Sequence, residues 1–135
     1  MEKPGITYEN IIDLCEPCNL QLNWLFICFR KTLGLSQRKV AYLIDNEHIN
    51  QNTISRYEHK NTVNAEYEYI LWQSIIKEMN KYATGSKSGA ARWIAVYTAA
   101  IELYILHYAT KKQARELQMA MIIGISEYQF PYFAD

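Results

Sequence analysis

The 135-residue chain contains few residues that interrupt regular structure, with five Gly and three Pro. Half of its residues are apolar, which predicts an ordered protein and excludes a disordered one. Long apolar runs are also absent, because charged or polar residues break each run well before the ~20 residues that a transmembrane helix needs. The sequence therefore predicts an ordered protein without a transmembrane helix.

Secretion and disulfide signals are also missing. Met1–Gly5 has no basic stretch feeding an apolar core, as a signal peptide would have. Three cysteines do not make a disulfide framework. Cys15 and Cys18 have the spacing of half a metal site, but no second pair exists, so we interpret them as reduced structural thiols. We expect a cytoplasmic protein with no metal and no cofactor.

The formal net charge is zero, yet the charges are unevenly distributed. Residues 1–29 carry one Lys against four acidic residues, a net of −3. Residues 30–60 carry six basic residues against three acidic ones, a net of +3. Because phosphates attract clustered positive charge, the central segment is the part of the chain suited to nucleic acid.

Apolar spacing is helical nearly throughout, which predicts an all-α fold. A first helix is expected over Thr7–Cys15, ending before Pro17, and a second over Leu20–Leu33 with Asn19 as its cap. Four later helices are expected to begin at polar caps, which are Ser36, Asn50, Asn64 and Thr110.

The central segment carries the most functional information. It reads as two short helices, within Arg30–Ile44 and Ile49–Glu58, joined by a polar turn, and Ala41 is small enough for them to cross closely. Asn and Gln side chains can pair with adenine, and Arg can bind guanine or phosphate. The predicted outward face of the second helix carries Gln51, Asn52, Thr53, Ser55 and Arg56. This pattern predicts a helix-turn-helix DNA reader.

The same residues resemble a known family. The run Gly34–Gln37, the pair Val40–Ala41 and the run Ile49–Glu58 are similar to the phage repressor/Cro type (Xre-like) of helix-turn-helix regulator. The resemblance extends over about residues 20–82. It implies a five-helix domain that binds double-stranded DNA as a twofold dimer and represses transcription.

The resemblance also implies roles for individual residues. Gln37 would hold a phosphate, Glu58 would be structural, and the bases would be read by Gln51, Asn52 and Ser55. The full set of predicted DNA-binding residues is Ser36, Gln37, Arg38, Asn50, Gln51, Asn52, Thr53, Ser55, Arg56 and Lys60.

The chain departs from the family pattern at two places. Where the family usually has one Gly in the turn, this chain has Asp45–His48, three residues more and with two acids. The Gly that usually follows the recognition helix is Lys60, with Asn61 as a substitute able to adopt a left-handed conformation.

The linker-like run Gly85–Gly89 suggests an internal boundary. It divides the chain into a helix-turn-helix domain with an N-terminal extension, residues 1–84, and a helical C-terminal region, residues 85–135. Beyond the boundary, a heptad-like seam has two interpretations, a dimer or partner interface or a face packed on this chain's own helices. Its residues are Ile94, Tyr97, Ile101, Tyr104 and Tyr108.

The sequence contains no gathered acid–base pair, activated nucleophile or phosphate-binding Gly loop, so we expect no enzyme. The leading hypothesis is a sequence-specific DNA-binding transcriptional regulator, a dimeric repressor. The alternative is a phage or mobile-element helix-turn-helix protein whose C-terminal half binds and inhibits or recruits another protein, as anti-defence inhibitors do. Neutral net charge, the acidic turn and the Tyr-rich second half favour that alternative.

Overall fold

The computed structural model describes residues 6–60, 63–81 and 87–127, with the side chains of α6 and α7 described over residues 92–119. All regular structure in these ranges is helical, which confirms the all-α prediction. None of the described helices combines the length and apolar character needed to cross a membrane. The helices are α1 Tyr8–Cys18, α2 Leu22–Thr32, α3 Gln37–Ile44, α4 Gln51–Lys60, α5 Ala65–Asn80, α6 Lys87–His107 and α7 Lys111–Glu127.

The predicted polar caps are confirmed, because each satisfies a backbone N–H that the first turn leaves unpaired. Ser36 Oγ accepts from the backbone N–H of Lys39 at 3.0 Å. Asn64 Oδ1 likewise accepts from the third residue of α5 at 2.8 Å. Thr110 and Gln113 form a reciprocal capping box, with N–O distances of 3.0 and 3.1 Å.

The predicted boundary between the first two helices is wrong. The first helix continues through Pro17 to Cys18, and Asn19 adopts a left-handed conformation with φ 54° that ends this helix. Pro17 is the second-last residue of this helix, where its missing N–H removes one backbone hydrogen bond. α2 then begins at Leu22 rather than Leu20, and its cap residue makes no side-chain hydrogen bond.

The core is built around α2. Leu25, Phe26 and Phe29 are fully buried on this helix. Trp72 of α5 meets both Phe rings edge-on, with centroid distances of 5.6 and 5.8 Å. Edge-to-face packing adds to the area that such rings bury, so this aromatic cluster fixes α5 against α2.

The heptad-like seam of α6 packs on α2 of the same chain. Ile101 and Tyr104 are 0% and 1% exposed, so they have no surface to offer a partner. Tyr97 contacts Phe29 with a centroid distance of 6.1 Å. The other two seam residues are partly buried against the same core, namely Ile94 and Tyr108. In the structure the seam therefore packs on this chain's own helices, which is the second of the two interpretations.

Polar contacts also join distant parts of the chain. The backbone N–H of Gln21, just before α2, donates to the Tyr104 hydroxyl at 2.9 Å. Gln113 of α7 donates through Nε2 to the carbonyls of Cys18 and Asn19. Asn80 bonds both the N–H and the carbonyl of Ile6. One hydrophobic core thus includes described residues from both sides of the predicted boundary.

The predicted linker itself falls largely outside the described residues. Positions 82–86 are not described, and α6 already begins at Lys87. The last three residues of Gly85–Gly89 are therefore helical.

The packing of α6 predicts a large stability difference between two positions of this helix. Ile101→Ala should lower the free energy of unfolding by about 2–5 kcal/mol, because it opens a cavity in a fully buried site. Leu106→Ala is the control, since Leu106 is 74% exposed and such a change should stay within about 0.5 kcal/mol. Urea unfolding followed by circular dichroism measures both, and equal losses would contradict an intramolecular seam.

Candidate nucleic-acid interface

The long turn between α3 and α4 is ordered by its own contacts. Asp45 ends α3 in a left-handed conformation with φ 51°, the conformation for which Gly is usual and which Asp tolerates better than most residues. Asn46 Oδ1 then accepts from the backbone N–H of His48 at 2.8 Å. Ile49 is 2% exposed and anchors the turn in the core. The three additional residues therefore form a defined connection.

The predicted cap of α4 is confirmed. Asn50 Oδ1 accepts from the backbone N–H of Thr53 at 3.0 Å, and Thr53 Oγ1 in turn accepts from the backbone N–H of Asn50 at 3.3 Å. Each residue satisfies a backbone donor of the other, as in a capping box. This arrangement fixes where α4 begins and which side of its first turn faces outward.

The prediction that Thr53 binds DNA is corrected by this geometry. Thr53 is 2% exposed, and its hydroxyl lies in the cap. Two residues after Gln51, a helix has turned by about 200°, so Thr53 shares the inward face with Ile54 and Tyr57. Both of these are fully buried. Thr53 is a structural residue of the helix start.

The other predicted residues of α4 lie outward to different degrees. Gln51, Asn52 and Arg56 are exposed, whereas Ser55 is half-buried and its carbonyl is the hydrogen-bond partner of His59 Nδ1. The remaining predicted residues that are exposed are Ser36, Arg38, Asn50 and Lys60. Three exposed polar side chains therefore lie on α4, and basic residues are exposed on α3 and at the end of α4.

A buried ion pair holds α4 in place. Arg30 of α2 donates through Nε to Glu58 Oε2 at 2.6 Å and through Nη2 to Glu58 Oε1 at 2.9 Å. The two residues are 8% and 2% exposed. Paired guanidinium–carboxylate bonds fix orientation as well as distance. Glu58 therefore has the structural role that the family resemblance implies.

Gln37 joins this network from the start of α3. Its Nε2 donates to Glu58 Oε1 at 2.9 Å, so one of its two amide N–H bonds is used within the protein. The second N–H remains available to a phosphate. The network therefore couples the residue predicted to hold phosphate to the helix predicted to read bases.

Further contacts attach α4 to its neighbours. Asn23 Nδ2 donates to the Glu58 carbonyl at 3.2 Å, and its buried Oδ1 has no partner among the described residues. Tyr57 donates to Glu68 at 2.7 Å and accepts from Trp72 Nε1 at 3.0 Å. Burial, and the negative charge of Glu68, raise the pKa of the Tyr57 hydroxyl, so it stays a neutral donor.

The surface around α3 and α4 keeps the whole positive charge of the segment. The buried pair Arg30–Glu58 is internally neutral, which leaves five exposed cations against the acids Asp45 and Glu47 on the turn, a net of +3. The cations are Lys31, Arg38, Lys39, Arg56 and Lys60. The exposed charge of α2, α3 and α4 is therefore mainly positive, and the acids mark the turn as the part least suited to phosphate.

Sequence reasoning missed one exposed aromatic residue here. Tyr42 of α3 is 74% exposed, and Lys39 Nζ lies 5.1 Å from its ring centroid. The helical spacing could have predicted this exposure, because Tyr42 lies two residues after Val40, which is fully buried. That spacing directs Tyr42 to the opposite face of α3.

The three thiols are buried and unpaired. Loss of hydration raises the pKa of Cys15 and of Cys28 to about 12. A thiol that ionises so reluctantly is a weak nucleophile and a weak metal ligand. Among the described residues, no group of three His, Cys, Asp or Glu side chains is arranged to hold a metal ion. Their contacts are those of core residues.

No family model, curated protein or solved structure matches the chain. Its function therefore has to follow from the exposed side chains of α3 and α4, from the charge around them, and from the buried contacts that orient α4.

The buried ion pair predicts a strong non-additive effect on stability. Glu58→Gln and Arg30→Met should each lower the free energy of unfolding by about 3 kcal/mol, because each leaves the other group buried without its charge partner. The double variant should lose much less than the sum. Glu78→Gln is the control, since the Glu78–Lys81 pair is similarly close at 2.7 Å but its Lys side chain is 59% exposed. Additive losses in urea unfolding would contradict the coupling.

The raised thiol pKa predicts a loss of stability in mild alkali. Between about pH 8 and pH 10 the unfolded chain ionises Cys15 while the folded chain keeps it protonated, so ionisation favours the unfolded state. When folding raises the pKa of a group, the folded state has its full stability at pH values below the pKa of the unfolded chain. This stability is lost as the pH rises from that value to the pKa of the folded state. Over this interval the wild type should lose up to about 1.4 kcal/mol more than Cys15→Ala does. Parallel pH profiles of the two proteins in urea unfolding would contradict the prediction.

Proposed function

We propose that the protein is a sequence-specific, double-stranded-DNA-binding regulator in which α3 and α4 act as a helix-turn-helix unit and α4 enters the major groove. The observation that carries the proposal is the exposure of Gln51, Asn52 and Arg56 on a helix whose opposite face is locked by buried contacts. A reading helix needs both properties, because base contacts discriminate only when the side chains are held in register.

The spacing of the exposed residues suits this role. Asn52 and Arg56 are four residues apart, so they lie on the same face of α4, and Gln51 extends this face towards the helix start. A helix of ten residues is about 15 Å long, and the major groove is about 12 Å wide. Gln51 and Asn52 can each pair with an adenine edge, and Arg56 with guanine or with a phosphate.

The phosphate contacts are assigned to the ends of the two helices. The helix dipole attracts anions to the start of α3. The backbone N–H groups of its first turn and the remaining side-chain N–H of Gln37 can donate to a phosphate there. The Ser36 hydroxyl can still donate its proton while it caps α3. Arg38 of α3 and Lys60 at the end of α4 are exposed cations that can contact the phosphate backbone. These groups position the protein, while α4 specifies the sequence.

The regulator is proposed to act as a dimeric repressor. A single reading helix contacts only a few base pairs, and a net of +3 provides modest attraction, so two copies are needed for selective binding. The dimer surface is not assigned to the α6 seam, since that seam packs on α2. Repression is the commonest role that the family resemblance implies.

Selection of binding sites from a random duplex pool tests the proposal directly. We expect the full-length protein to enrich a near-palindromic site, with an affinity that falls steeply as the salt concentration rises. If no sequence is enriched even at low salt, the proposal is wrong.

Variants of the reading face give a sharper test on the selected site. Gln51→Ala combined with Arg56→Ala should weaken specific binding by about 30- to 20,000-fold, since the two base contacts contribute about 1–3 kcal/mol each. Lys77→Ala is the charge-matched control, because Lys77 is an exposed cation of α5 and is not among the predicted DNA-binding residues. Its binding should match the wild type. Unchanged specific affinity of a folded double variant, measured by fluorescence anisotropy, would contradict the assignment.

A further inference from the structure

A concave region lies beside the Arg30–Glu58 ion pair. It is a cleft of about 320 Å³, formed by α2, the start of α3, the end of α4 and Tyr108 after α6. The residues that matter for its chemistry are Trp24, Arg30, Lys31, Gln37, His59 and Tyr108. The volume lies at the lower end of the range for small-molecule sites, so it suits a ligand of a few hundred daltons.

One side of the cleft is aromatic. The rings of Trp24 and Tyr108 stack with a centroid distance of 5.2 Å and an interplanar angle of 19°. Trp24 remains partly exposed, whereas Trp72 and Trp93 are 0% and 4% exposed. Stacked rings present a flat apolar face, and flat aromatic ligands bind to such faces without a specific hydrogen-bond pattern.

The polar side of the cleft has unused hydrogen-bonding capacity among the described residues. Arg30 has five N–H bonds and uses one at Nε, one at Nη1 and one at Nη2, which leaves two. Gln37 keeps its amide oxygen and one N–H. The cleft lining therefore includes both free donors and a free acceptor.

His59 adds a defined acceptor. Its Nδ1 lies 2.8 Å from the Ser55 carbonyl oxygen. A carbonyl can only accept, so Nδ1 carries the proton, and in the neutral ring Nε2 is the acceptor. The cleft can thus recognise an edge that displays both an N–H and an acceptor.

The charge of the cleft favours an anion. Glu58 is paired with Arg30, so the floor is internally neutral. Lys31 is exposed at the rim and has no ion-pair partner among the described residues. A phosphate at Lys31 would gain a charge-assisted contact without displacing an existing one.

We propose that this cleft binds a nucleoside monophosphate. The base stacks on the aromatic pair Trp24–Tyr108, its edge bonds Gln37 and His59, and its phosphate lies at Lys31. A nucleobase satisfies the three requirements together, namely a flat ring, an edge with donors and acceptors, and a linked anion. This binding can be tested without DNA, so its failure and the failure of the proposed DNA-binding function are distinguishable. The two proposals share Gln37, whose remaining N–H either a DNA phosphate or the base can use.

Nuclear magnetic resonance of the full-length protein with adenosine monophosphate tests the proposal. The three Trp side chains provide three indole N–H signals, of which the Trp24 signal is identified by its absence in Trp24→Phe. We expect the Trp24 signal to shift saturably, with a Kd below about 1 mM. The indole signals of Trp72 and Trp93 should not move, since their N–H groups are bonded inside the protein.

Two matched variants separate a built site from general charge attraction. Lys31→Met should weaken binding about fivefold, the effect of one partly screened contact, and Lys77→Met should not change it. Ribose 5-phosphate, which lacks the base, should leave the Trp24 signal unmoved, and adenosine, which lacks the phosphate, should bind about as weakly as the monophosphate binds to Lys31→Met. The proposal is overturned if the Trp24 signal does not saturate, if Lys77→Met weakens binding as much as Lys31→Met, or if ribose 5-phosphate binds equally well.

Discussion

The buried pairing of Arg30 with Glu58 is the constraint on which the candidate interface depends. A carboxylate that is 2% exposed can stay charged only if its environment replaces the water it has lost. Arg30 supplies two N–H bonds and Gln37 supplies a third, so three helices must keep one relative position. Any displacement of α4 would break these bonds. The outward direction of Gln51 and Asn52 is therefore fixed by groups at the opposite end and on the opposite face of the helix.

The second half of the chain contributes to this rigidity from outside the interface. Tyr97 and Tyr104 of α6 lie against α2, the helix that carries Arg30. Because α2 is covered by α6 on one side and by Trp72 of α5 on another, Arg30 projects from a backbone with little freedom to shift. Packing therefore accounts for the described tyrosines of α6 and the turn after it. Tyr97, Tyr104 and Tyr108 cover α2 or its first residues.

Local features of the fold were predictable from the sequence, and features that need distant partners were not. Caps such as Ser36, Asn50 and Asn64 bond a backbone N–H within four residues, so they can be recognised from the local sequence. Thr53 was misassigned because its polarity suggested exposure, whereas a reciprocal cap had already satisfied its hydroxyl. Likewise, the seam around Ile101 has the same apolar pattern whether it packs on a second chain or on α2, so the pattern alone could not identify its partner. The role of Gln37 in DNA binding stays a prediction, and its bond to Glu58 could not be predicted because the partner lies 21 residues away in the chain.

The contact between the Gln21 backbone and the Tyr104 hydroxyl has a consequence for how the protein is made. These groups are 83 residues apart, and the ribosome releases α2 long before it releases α6. Until then the apolar face of α2 that receives Tyr97 lacks its partner helix, and the nascent chain exposes the side chains of that face. The packing that holds α2, and with it Arg30 and the bond to α4, is therefore complete only after α6 has been translated. A gene exchange that joined the first 84 residues to a foreign sequence would leave the same face open permanently.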